Sequence, residues 1–103
     1  MKTIMVVDDE TNVLEEVKKN LEPNEFEVIT VDNSRKALEL IEQDDKDKLS
    51  LILIDTNIPN SKAPALFSMK PQSKMNIDTS KEEDFLQKPF TREQLIEFIK
   101  KKI

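Results

Sequence analysis

The sequence predicts an α/β fold built on a parallel sheet. Short apolar runs alternate with longer amphipathic stretches, which is typical of strands that alternate with helices. The apolar run at residues 49–54 is nearly continuous, as expected of a central strand covered on both faces. Because 103 residues is the size of one domain, we expect a single domain over residues 1–103 and no effector domain.

The composition limits the possible functions. Hydrophobic residues make up 37% of the chain and charged residues 36%, which suits a globular protein with a charged surface. The chain has no cysteine and no histidine, so any metal site must consist of oxygen ligands. The net charge of −5 argues against nucleic-acid binding, and no apolar run is long enough to span a membrane. We therefore expect a cytoplasmic protein that contacts neither nucleic acid nor membrane.

The first half of the chain contains two predicted strand–helix units. Residues 3–7 and 26–31 are short apolar runs of the kind that form strands. An amphipathic helix follows each strand, and the first helix stops near Pro23. The predicted inward face of the second helix consists of Ala37, Leu38 and Ile41.

The second half is less regular. Residues 61–70 are predicted to form a short helix and residues 75–79 the fourth strand. Residues 84–87 form the fifth predicted strand, and a capping box at Thr91 to Gln94 begins the closing helix. The few residues between the last two predicted strands leave no room for a crossover helix. We therefore expect the fold to lack one helix.

Three carboxylates and one ammonium are expected to meet at one edge of this sheet. Asp8 and Asp9 follow the first strand, Asp55 ends the third and Lys88 follows the last. Ligands bind beyond the carboxyl ends of strands in open parallel sheets, and carboxylates are suitable ligands for Mg²⁺. Taken singly, an acidic pair after a strand is commonly a helix cap and a lysine before proline is commonly a solvated residue. The prediction of a site depends on their joint position.

Three segments of the chain resemble the signature blocks of response-regulator receiver domains. They are IMVVDDE at residues 4–10, LILIDTNIPN at 51–60 and FLQKPF at 85–90. The resemblance implies a flavodoxin-like, doubly wound parallel sheet of five strands in the order 2-1-3-4-5, for which a receiver is a standard example. It also implies a bond between Lys88 and Pro89 that is often cis.

The resemblance also implies roles for individual residues. Asp55 matches the phosphoacceptor, and Asp8 and Asp9 match the acids that bind Mg²⁺ or Mn²⁺ with it. Asn57 matches the position whose backbone carbonyl completes the metal shell, and Lys88 matches the family lysine.

The switch hydroxyl can be aligned in two ways. Phe85 occupies the aromatic switch position three residues before the family lysine. The preferred switch hydroxyl is Thr79, which implies that the fourth helix is missing or reduced; Ser80 lies beside it. In a rival alignment residues 65–68 are the fourth strand, Ser68 is the switch hydroxyl and the third helix is deleted.

The resemblance implies a stand-alone receiver that accepts a phosphoryl group from a histidine kinase and signals by contact with a downstream protein. Such a protein catalyses at most its own phosphorylation and dephosphorylation, so we do not expect an enzyme. A degenerate receiver that acts as a binding scaffold is one alternative. A phosphatase of the haloacid-dehalogenase kind is another, but it requires an aspartate at the position of Asn57.

Overall fold

The structure is a computed structural model that describes residues 2–43, 48–57, 63–69 and 84–103. The strands are β1 (Lys2–Val7), β2 (Phe26–Val31), β3 (Leu49–Asn57), β4 (Pro64–Met69) and β5 (Phe85–Gln87). The helices are α1 (Thr11–Leu21), α2 (Ser34–Glu42) and α3 (Arg92–Lys102), with a 3-10 turn at Glu22–Asn24 after α1. Within these residues, no helix is both long enough and apolar enough to cross a membrane.

The five strands form one sheet in the order β2-β1-β3-β4-β5, which confirms the predicted order. Strand β1 is parallel to β2 and to β3. Strand β4 is antiparallel to β3 and to β5, so the prediction of an all-parallel sheet is wrong for this strand. Residues 58–63 alone connect β3 to β4, whereas a parallel crossover needs about twelve residues or more. The chain therefore turns back beside β3 as a hairpin.

The helix predicted for residues 61–70 is wrong over residues 64–69, which form β4. Strand β4 begins at Pro64. The first position of a strand tolerates proline, because no backbone donor is needed there. The five residues that follow are all buried, as in a strand covered on both faces. The strand predicted for residues 75–79 lies outside the described residues. The described residues contain three helices, in line with the reduced helix count that was predicted. The segment expected to lack the fourth helix lies outside the described residues.

Two hydrophobic clusters cover the two faces of the sheet. Helices α1 and α3 pack on one face, where Leu53 and Leu66 lie in the same cluster as Leu95. Helix α2 packs on the other face through Ala37 and Ile41. The prediction that Leu38 faces inward is wrong, because it is 54% exposed. Ala37 and Ile41, four residues apart, share the buried face of α2, and the residue next to Ala37 points in another direction.

The strand directions bring the site together. Because β4 is antiparallel to both of its neighbours, β5 runs in the same direction as β3. The carboxyl ends of β1, β3 and β5 therefore lie at the same edge of the sheet. The capping box at Thr91 and Gln94 is confirmed, and it starts α3 shortly after this edge.

Candidate functional site

Three carboxylates lie together at the carboxyl edge of the sheet. Asp8 is the first residue after β1, Asp9 follows it, and Asp55 lies near the end of β3. One carboxylate oxygen from each residue lies within 4.8 Å of the others. The structure thus brings together the three acids that the sequence placed at this edge.

Lys88 completes the cluster. Its Nζ atom donates to Oδ1 of Asp55 at 2.6 Å and to Oδ2 of Asp8 at 3.2 Å. The Lys88–Pro89 peptide bond is cis, as the resemblance implied. The ammonium therefore bridges two of the three acids and offsets part of their mutual repulsion.

The three acids differ in their contact with solvent. The side chain of Asp8 is 0% exposed, whereas that of Asp55 is 31% exposed. Oδ1 of Asp8 accepts a hydrogen bond from the backbone N–H of Glu10 at 2.9 Å, so both of its oxygens have protein donors. Asp9 is exposed. The carboxylates of Asp55 and Asp9 are thus open to solvent, whereas that of Asp8 is covered and held by protein donors.

Opposing effects act on the pKa of Lys88. Burial alone would lower the pKa of this ammonium, but the hydrogen bond to Asp55 and the charge of Asp8 raise it, and the net shift is upward from 10.5. Lys88 is therefore fully charged at neutral pH.

The donor set suits a hard divalent cation. Asp8, Asp9 and Asp55 supply oxygen ligands, and Mg²⁺ usually takes one or two carboxylates while keeping several waters. The exposed Asp9 and the half-buried Asp55 have room for such waters. The residues present therefore fit a magnesium site.

The remaining predicted site residues have different outcomes. Asn57 is the last residue of β3, and the metal-binding role of its carbonyl stays a prediction. Phe85 is buried, and its ring centroid lies 5.0 Å from that of Phe67 on β4. Thr79 and Ser80 lie outside the described residues.

Among the described contacts, the hydroxyl of Ser68 bonds to Asp84 and not to the acidic cluster. Antiparallel pairing sets Leu66 opposite Asp55 and Ser68 opposite Leu53, further from the carboxyl edge of β3. The Ser68 hydroxyl donates to the backbone carbonyl of Asp84 at 3.2 Å. The rival alignment was right that these residues form a strand, but the reversed direction of that strand moves its hydroxyl away from Asp55.

Comparison with known families supports the resemblance. The sequence profile of the family described as response regulator receiver domain matches residues 4–79. This chain belongs to the response-regulator receiver family. No solved structure gives a significant match to this receiver. The antiparallel β4 lies inside the matched range, so the departure from the predicted all-parallel sheet occurs within the family match.

Sequence analysis predicted no role at the site for Pro64, which is the first residue of β4. Its carbonyl accepts a hydrogen bond from the backbone N–H of Lys88 at 2.9 Å. Pro64 also lines an open groove of about 280 Å³ beside the acidic cluster, together with Val13, Glu16, Lys88, Pro89 and Phe90. The number of residues between the end of β3 and Pro64 could have indicated this position, because so short a connection excludes a parallel crossover and turns the chain back beside β3.

Proposed function

We propose that this receiver accepts a phosphoryl group on Asp55 from the phosphohistidine of a histidine kinase, in a reaction that requires Mg²⁺. The observation that carries the proposal is the contact of Lys88 Nζ with Asp55 at 2.6 Å, within a cluster of three carboxylates. A positive charge so close to Asp55 is suited to the anionic oxygens of a transferred phosphoryl group.

The proposed step is a substitution at phosphorus. Lys88 holds Oδ1 of Asp55, and the second oxygen of that carboxylate attacks. An O–P bond forms, the N–P bond of phosphohistidine breaks, and the leaving imidazole nitrogen takes up a proton. The product is an acyl phosphate. Asp8, Asp9 and Asp55 would hold Mg²⁺, which would neutralise charge on the phosphoryl oxygens.

We further propose that the protein acts in the cytoplasm and signals through contacts with a downstream protein. The added charge on Asp55 would change the interactions of Lys88 and, through them, the surface at the carboxyl edge. In this proposal the protein catalyses only its own phosphorylation and dephosphorylation.

Intact-mass measurement after incubation with phosphoramidate and Mg²⁺ tests the proposal. We expect a gain of one phosphoryl group in the wild type, no gain in Asp55→Asn or with a chelator, and removal of the group by hydroxylamine, which cleaves acyl phosphates. Asp32→Asn is the matched control, because Asp32 is exposed and bonded only to its neighbour Asn33 among the contacts described. Labelling that persists in Asp55→Asn would refute the assignment, and no labelling at all would favour a binding scaffold.

A further inference from the structure

The segment that delivers Lys88 is aligned residue by residue on β4. The contacts, from the far end to the site, are Ser68 with Asp84, Phe67 with Phe85, Leu66 with Leu86, Ala65 with Gln87, and Pro64 with Lys88. Five consecutive residues of one segment thus have partners on five consecutive residues of the other. This alignment follows from the reversed direction of β4, which brings the start of that strand to the carboxyl edge of the sheet.

Pro64 connects the backbone of Lys88 to the strand that carries Asp55. On one side Pro64 pairs with Asn57, two residues after Asp55. On the other side its carbonyl accepts from the backbone N–H of Lys88 at 2.9 Å. One residue therefore links the two main chains whose side chains meet at 2.6 Å.

A fixed backbone is important for a lysine at such a site. The ammonium lies at the end of a flexible four-carbon stem, so the position of the main chain limits where it can reach. Proline restricts its own φ to about −65°, which removes one source of freedom at the start of β4. Because proline has no N–H, its carbonyl is the main-chain polar group that it offers to a neighbour.

We propose that Pro64 is a positioning residue for Lys88: its rigid backbone and its carbonyl hold the Lys88 main chain so that the ammonium reaches Asp55. The effect on phosphorylation rests on the proposed function, whereas the effect on the Lys88 backbone does not. Pro64 acts through Lys88, and it does not touch the reacting atoms.

Nuclear magnetic resonance tests the contact directly. In a protein of 12.0 kDa, a scalar coupling across the hydrogen bond between the Lys88 nitrogen and the Pro64 carbonyl carbon is measurable. We expect this coupling, together with slow exchange of the Lys88 amide. In Pro64→Gly we expect exchange to be at least about tenfold faster, because the flexible backbone opens locally. Absence of the coupling in the wild type would overturn the proposal.

Three variants separate positioning from stability. Pro64→Gly is expected to slow phosphorylation of Asp55 by phosphoramidate about tenfold or more, since small displacements at a reacting centre have large effects on rate. Pro64→Val, which favours extended backbone, is expected to restore most of the rate. Pro23→Gly is the matched control, because Pro23 is exposed in the 3-10 turn at the opposite edge of the sheet.

Each outcome decides the proposal. A slower Pro64→Gly with an unchanged Pro23→Gly supports it. Unchanged labelling and unchanged Lys88 amide exchange in Pro64→Gly, or equal slowing in Pro23→Gly, overturn it. If the wild type takes up no phosphoryl group, the proposed function fails, and the amide exchange of the three variants still decides whether Pro64 holds Lys88.

Discussion

Replacing Lys88 with methionine removes the only charge described here as bridging Asp8 and Asp55. The side chain of Asp8 is 0% exposed, so its carboxylate would keep one backbone donor and lose the ammonium. Breaking a fully buried ion pair costs about 3–5 kcal/mol, and an exposed pair contributes about 0.5 kcal/mol. Lys88 is 20% exposed, which lies between these cases. We expect Lys88→Met to lower the free energy of unfolding by about 2 kcal/mol.

A double-mutant cycle with Asp55→Asn isolates the contact between Lys88 and Asp55. We expect a coupling energy of about 1 kcal/mol, measured by urea unfolding in the presence of a chelator. Because the chain has no tryptophan and no tyrosine, far-UV circular dichroism is the suitable probe. A coupling energy below about 0.3 kcal/mol would show that solvent screening cancels the contact and would refute the reasoning.

Three more measurements test the pH dependence of this coupling, the burial of the core and a partly exposed ion pair. The coupling energy between Lys88 and Asp55 should fall at high pH, because the folded-state pKa of Lys88 is raised above 10.5. The stabilisation should be complete below pH 10.5 and should disappear as the pH rises through the higher folded-state pKa. Repeating the double-mutant cycle at alkaline pH measures this loss. Leu66→Ala should lower the free energy of unfolding in urea by about 3 kcal/mol, since Leu66 is 0% exposed. Leu38→Ala should lower it by less than about 1 kcal/mol, since Leu38 is 54% exposed. Equal losses would contradict the assigned burial. Asp84→Asn should lower the free energy of unfolding by about 1 kcal/mol by weakening its 2.7 Å contact with Lys102, and the loss should shrink in high salt.

The chemistry of the site could be predicted from the sequence because it depends on short local blocks. Each of the four residues follows or ends a short apolar run that predicts a strand: Asp8, Asp9, Asp55 and Lys88. The resemblance implied the order of those strands. The structure brings together all four side chains.

The direction of β4 could not be predicted in the same way. The apolar positions of residues 63–69 fit a short helix as well as a buried strand. Periodicity cannot distinguish a helix from a strand in a run of this length. What decides between them is the pairing with β3 and β5, which is tertiary information. The short connection between β3 and β4 indicates the antiparallel direction, but its length is known only when the boundaries of both strands are known.

The reversal of β4 also has a consequence for the order of folding. Asn57 and Pro64, which pair across the β3–β4 hairpin, are near neighbours in the chain, whereas Thr3 and Leu49, which pair between β1 and β3, are far apart. Local contacts lose little loop-closure entropy when they form, and a lower contact order goes with faster folding. We expect the β3–β4 hairpin to belong to the folding nucleus, with β1 adding to it later. The strand that carries Asp55 would then gain its first partner from the adjacent chain rather than from a distant segment.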